Sequence, residues 1–291
     1  MRLAFLGTPE AAVPPLRALV AAGHDVALAV TRADRRRGRG SALSASPVKA
    51  AAAELGIPVS HDIDDVLATG AELGVVVAFG RLIKSHVLAA VPMVNVHFSL
   101  LPRWRGAAPV ERALLAADTE TGVAIMGVAD ELDTGPVYAQ RVVSIGPRST
   151  ATELRAELVT VGTDLLVETL AGPLPEPVAQ AGVPTYAAKI DAVELRLDWS
   201  RPASELDRWV RVGGAWMTFR GRRLKVVAAE PVAAATPAGS PADVGALTGD
   251  TVTTGEGALR MVTVQPEGKA PMRWRDFANG ARPTAGERFG P

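Results

Sequence analysis

Leu3-Ala4-Phe5-Leu6-Gly7-Thr8-Pro9 decides the fold. Four apolar residues make a short buried run, and Gly-Thr-Pro ends it. A helical pattern follows over 11–22, with Val13, Leu16, Leu19 and Val20 on one face and Gly23 as its stop. The same alternation continues downstream. Residues 26–30, 74–79 and 94–98 read as buried strands, with helical stretches at 46–55 and 83–90 between them. Continuous apolar strands alternating with helices predict a mostly parallel, Rossmann-like α/β sheet covered on both faces. Two more strands are predicted at 123–128 and 137–145. A long helix over 150–171 follows, with Leu154, Leu158, Val161, Leu165 and Leu166 inward.

The pattern then changes. Residues 172–184 hold Pro173, Pro175, Pro177, Pro184 and two glycines, an extended and semi-rigid linker. Past Leu197-Asp198-Trp199, short β-like runs at 223–227, 251–254 and 259–264 predict a small antiparallel β-barrel. Residues 233–242, rich in Ala, Pro, Gly and Ser, read as a mobile loop. Three segments result: an α/β domain over 1–183, a linker over 184–200 and a C-terminal barrel over 201–291.

Bulk composition narrows the function classes. The 291 residues are 48% hydrophobic and 21% charged, as in an ordinary globular protein. Lys plus Arg and Asp plus Glu both number 31, so any nucleic-acid surface must be a local patch. There is no Cys, which excludes thiolate nucleophiles, disulfides and Cys-ligated zinc, and suits a reducing, cytoplasmic compartment. The first apolar run is too short for a signal-peptide core, and no apolar stretch is long enough to span a membrane. A monomer is expected.

Four segments carry chemistry. Gly7-Thr8-Pro9 is either a ligand-facing loop or a plain βα turn, and its spacing alone favours the turn. Residues 32–39 place five arginines in eight positions; that is either a phosphate-contacting loop or a solvated charged one. Asn95 and His97 stand two apart on a strand, so both side chains leave one face. An Asn amide can donate to an oxyanion, and a His can move a proton near neutral pH. His97 taken alone reads rather as a hydrogen-bonded core residue. Asp133, before Thr134-Gly135-Pro136, reads as a turn residue unless it reaches His97.

The run Asn95-Val96-His97-Phe98-Ser99-Leu100-Leu101-Pro102-Arg103-Trp104-Arg105-Gly106-Ala107-Ala108-Pro109, with Leu132-Asp133-Thr134-Gly135, closely resembles the methionyl-tRNA formyltransferase family. Phe5-Leu6-Gly7-Thr8-Pro9, Ser46-Pro47-Val48-Lys49, Val76-Val77-Ala78-Phe79-Gly80 and Pro184-Thr185-Tyr186-Ala187 extend the resemblance over essentially the whole chain. It implies 10-formyltetrahydrofolate as formyl donor and initiator methionyl-tRNA as acceptor. It implies an oxyanion contact from Asn95, a proton shuttle at His97 and an orienting carboxylate at Asp133. The folate would lie along Phe79, Gly80, Leu82, Ser99, Leu100, Leu101 and Pro102. The tRNA would be held by Arg35, Arg36, Arg37, Arg39, Lys189, Arg222 and Arg223, with the C-terminal domain an OB-like barrel. No metal is implied. The chain departs from the family pattern at Ser41-Ala42, Phe98 and residues 212–216. Two rivals remain: a folate-dependent formyltransferase for a small amine such as a sugar nucleotide, and a non-catalytic RNA-binding protein that uses only its basic patches.

Overall fold

The computed structural model describes residues 1–36, 43–233 and 243–290. The chain divides into two compact units. One comprises Met1–Val110, Thr119–Ile145 and Leu154–Ala188, the other Glu111–Asp118, Gly146–Glu153 and Lys189–Pro291.

Up to residue 188 the strands are β1 (Arg2–Gly7), β2 (Asp25–Val30), β3 (Arg35–Arg36), β4 (Leu43–Ser44), β5 (Val59–Ser60), β6 (Leu73–Val77), β7 (Met93–His97), β8 (Arg105–Gly106), β9 (Glu120–Gly127), β10 (Val137–Ser144) and β11 (Tyr186–Ala187). The helices are α1 (Val13–Ala21), α2 (Pro47–Glu54), α3 (Ser85–Ala90), α4 (Pro109–Leu115) and α5 (Ala151–Leu170). The main sheet has the order β10-β9-β7-β6-β1-β2-β5. β1, β2, β5, β6 and β7 pair in parallel, as the alternation predicts, while β9 and β10 run antiparallel. β9 is buried at seven consecutive positions, so its apolar run carries no sign of its direction. The chain moves outward from β1 to β2 and β5, then returns to β6 on the other side of β1. This reversal is the switch point where open α/β sheets place ligands, beyond the carboxyl ends of the strands.

Local chemistry explains the boundaries. Ser46 caps α2 by accepting from the Lys49 amide at 3.0 Å, and Pro47 takes the first helical position. Thr150 and Glu153 form a reciprocal capping box at the start of α5 (3.2 and 2.9 Å). Under the sheet, Leu6, Val30, Val66, Val76, Val87 and Met93 belong to one packed cluster.

Beyond residue 188 lie α6 (Ala203–Val212), β12 (Trp216–Phe219), β13 (Arg222–Val232), β14 (Leu247–Thr248), β15 (Thr251–Thr253), β16 (Ala258–Pro266), β17 (Met272–Arg273) and α7 (Trp274–Ala281). Their antiparallel sheet has the order β12-β13-β16-β15-β14, with β17 on β16. Residues 286–290 bond to both ends of this order. Thr218 and Gly290 exchange two backbone bonds at 3.0 Å, and Leu247 bonds Gly286 and Glu287 at 2.9 Å each. The core centres on Trp199, Phe219, Trp274 and Phe289. Neither α6 nor α7 is foreseen by a reading as short strands. The α6 helix buries Leu206 and Val210 and also Asp207, whose carboxylate accepts from Arg148 Nη1 (2.8 Å) and Arg211 Nε (2.9 Å). Of the predicted mobile loop, residues 234–242 lie outside the described residues, as do Arg37 and Arg39.

Candidate active site

β7 ends at His97, and its Asn95 and His97 point to one face. In the antiparallel register Asn95 faces Met126 and His97 faces Ala124 on β9. Ala124, Met126 and Leu101 pack as a small apolar cluster that floors this face. Above it opens a cavity of about 620 Å³, lined by Asn95, His97, Phe98, Gly106, the segment 78–83, Val128, Ala129 and residues 131–133. That volume suits a drug-sized ligand.

The sequence leaves open whether Asp133 reaches His97, and the structure brings them together. Asp133 Oδ2 lies 3.6 Å from His97 Nδ1, with both side chains at least nine-tenths buried. The other ring nitrogen, Nε2, is 2.9 Å from the Trp104 carbonyl. A carbonyl only accepts, so Nε2 carries the proton and Nδ1 is left facing the carboxylate. The Asp133 carboxylate is fixed in turn by the Gly106 amide, which donates to Oδ2 at 2.7 Å. Asp133 has φ +54°, a left-handed conformation that Asp tolerates better than most residues. Two glycines permit the arrangement. A Cβ on Gly135 would stand 1.9 Å from the Gly127 carbonyl oxygen. Gly106, at φ +121°, packs its Cα against the Ala187 carbonyl.

A family model described as formyl transferase matches residues 1–170, and one described as formyl transferase, C-terminal domain, matches 189–282. The stretch between them holds Gln180 and Thr185. A methionyl-tRNA formyltransferase of Paracoccus denitrificans is 44% identical over 96% of this chain and 97% of its own length. One of Dinoroseobacter shibae is 45% identical over 92% and 94%. The chain belongs to the methionyl-tRNA formyltransferase family. The fold is also that of an N-formyltransferase from Helicobacter canadensis, with TM-score 0.69 and 15% identity over 89% of this chain and 98% of that one.

Against the pattern of the methionyl-tRNA formyltransferase family, the predicted folate residues divide. Phe79, Gly80 and Leu82 line the cavity. Leu82 is 74% exposed, and Leu132, which also lines the cavity, is 67% exposed. Ser99, Leu100, Leu101 and Pro102 are not among the residues lining it. Beyond β7 the chain turns away from the cavity. The Ser99 hydroxyl is buried and donates to the Arg103 carbonyl, and Leu100 packs against Gly122 of β9. Leu101 belongs to the floor cluster, and the Pro102 carbonyl accepts from the Thr185 amide at 3.2 Å.

Among the predicted tRNA residues, Arg35 and Arg36 form β3, paired with β4. Lys189 is exposed and does not line the cavity. Arg222 and Arg223 open β13, where Arg223 stacks on the Trp216 ring at 4.3 Å. They line a second cavity of about 240 Å³ together with Arg220 and Lys269.

Sequence reasoning missed the residues that hold the site. The Trp104 amide donates to Thr185 Oγ1 (2.9 Å), and β8 pairs with β11. The Gln180 amide bonds the Asp133 turn on one side and Arg105 on the other. Its one legible signal is an isolated polar amide in an otherwise Pro-, Ala- and Val-rich linker.

Proposed function

We propose that this protein transfers the formyl group of 10-formyltetrahydrofolate to the α-amine of methionine on initiator methionyl-tRNA. The observation that carries this is the meeting of Asn95, His97 and Asp133 in one cavity, in a chain that its methionyl-tRNA formyltransferase relatives match along nearly their full length.

The amine attacks the formyl carbon, and a tetrahedral oxyanion forms. Asn95, on the cavity face of β7, donates its amide to that oxyanion. The amine must lose a proton as the C–N bond forms. His97 Nδ1 is the ring nitrogen free to take it, because Nε2–H is committed to the Trp104 carbonyl. Asp133 faces Nδ1 and stabilises the imidazolium that results. Collapse of the intermediate breaks the bond to the folate nitrogen, and the proton returns to that leaving group.

The donor occupies the cavity along Phe79, Gly80 and Leu82. Residues 1–183 form the catalytic domain and 201–291 the tRNA-binding domain, joined by the linker at 184–200. The backbone bonds of 286–290 to both sheet ends support reading that second domain as a closed, OB-like barrel. Arg222, Arg223, Lys189 and the loop from Arg35 to Arg39 contact tRNA phosphates. The enzyme acts as a monomer in the cytoplasm.

Single-turnover formylation by wild type and by His97→Ala, with donor binding measured beside it, tests these roles. Retained donor binding with lost turnover is expected. Equal, measurable turnover in both would overturn the role of His97, and no turnover in either would favour a non-catalytic RNA-binding role.

A further inference from the structure

The Gln180 side chain joins two pieces of backbone on which the Asp133 carboxylate depends. Its Nε2 donates to the carbonyl oxygens of Asp133 (2.9 Å) and Gly135 (2.7 Å), gripping the left-handed turn on both sides of Thr134. Its Oε1 accepts from Arg105 Nε (3.0 Å) and Nη2 (2.7 Å). The next residue, Gly106, gives the amide that holds Asp133 Oδ2. The amide's orientation is forced, since a flipped group would set NH₂ against a guanidinium and oxygen against two carbonyls. Both donor hydrogens and the acceptor oxygen are therefore committed.

We infer that Gln180 is a positioning residue for formyl transfer, holding the Asp133 turn and the Arg105–Gly106 backbone so that the carboxylate faces His97; this rests on the role of Asp133 proposed above. A non-glycine residue at φ +54° stays there only while its surroundings enforce it. The turn's own side-chain bond, from Thr134 Oγ1 to the Glu131 carbonyl at 3.0 Å, spans residues before Gly135. Gln180 holds the far side. It is not among the residues lining the cavity. Its loss misplaces a catalytic group and leaves the binding surfaces in place.

The test uses the full-length enzyme with 10-formyltetrahydrofolate and charged initiator tRNA. Gln180→Ala and Gln180→Glu are each measured alone and in an Asp133→Ala background. Glutamate keeps the acceptor for Arg105 but sets a carboxylate against two carbonyls, and it serves where alanine impairs folding. Each single variant is expected to lower kcat about tenfold, because small misplacements of a reacting group are costly. Both KM values should stay within about twofold. In the Asp133→Ala background the same change should cause no further loss, the mark of two residues acting as one. Wild-type kcat in either folded variant, or an equal fold-loss with and without Asp133, would overturn the inference. A wild-type enzyme that transfers no formyl group would overturn the underlying assignment, and the inference with it.

Discussion

In the proposed mechanism, one carbonyl oxygen decides which nitrogen of His97 does chemistry. With the Trp104 carbonyl holding Nε2–H, Nδ1 is left to take the proton, and Asp133 stands 3.6 Å away to stabilise the charge that results. Asp133→Asn keeps an acceptor for the Gly106 amide and removes the charge. It should lower kcat about a hundredfold or more with donor binding retained, in keeping with what a positioned acid–base pair contributes. A rise in KM alone, in steady-state assays, would mean that Asp133 only shapes the pocket. Asn95→Ala should cost about 10²–10³ in kcat through the lost oxyanion donor. The i, i+2 spacing on a strand made the Asn95–His97 pair legible in the sequence. Their meeting with Asp133 was not legible from spacing, because it depends on a turn well downstream of His97 and on an amide from a third segment. The course of residues 99–102 was not legible for the same reason: nearness in sequence to His97 says nothing about which way the chain leaves the strand.

At the scale of elements, close backbone approach rather than side-chain packing sets the Asp133 turn. Gly135→Ala places a methyl 1.9 Å from the Gly127 carbonyl oxygen, where the backbone must move. Lower Tm together with lower kcat is expected; an unchanged kcat would show that the turn tolerates the shift. The helix α6 rests on a different device, a buried carboxylate between two guanidiniums. Asp207→Ala leaves the mostly buried Arg211 without its ion-pair partner and should destabilise the protein by about 2–3 kcal/mol, read from denaturant unfolding. The parallel strands and the helices α1, α2 and α5 were legible because apolar strands and helical periods alternate there, with Ser46 and Pro47 opening α2 and Thr150 with Glu153 opening α5. α6 and α7 were missed because they lie among short strands, where turn signals dominate the pattern. The antiparallel β9 carries no directional mark in its apolar run.

At the scale of the molecule, the last described residues tie both ends of the second sheet. Glu287 anchors that segment. The Arg220 guanidinium, with a smaller share from the Thr284 amide, holds its carboxyl down at about 2 against an ordinary 4.5. A depressed carboxyl stabilises the fold above the unfolded value and loses that contribution as pH falls from about 4.5 towards 2. Tm followed over this range should decline less steeply in Glu287→Gln than in wild type; parallel declines would show that the pair contributes nothing. For tRNA, Arg222→Ala should weaken use of the acceptor and reduce its logarithmic salt slope by about one for each phosphate left without its cation. The measurement that reaches the central claim most directly is formyl transfer from 10-formyltetrahydrofolate to charged initiator methionyl-tRNA, beside charged elongator tRNA and tRNA-free amines. Rapid formylation of the initiator methionyl-tRNA alone is predicted. Formylation of a free amine in its place, or consumption of the donor with no formylated tRNA, would contradict the account.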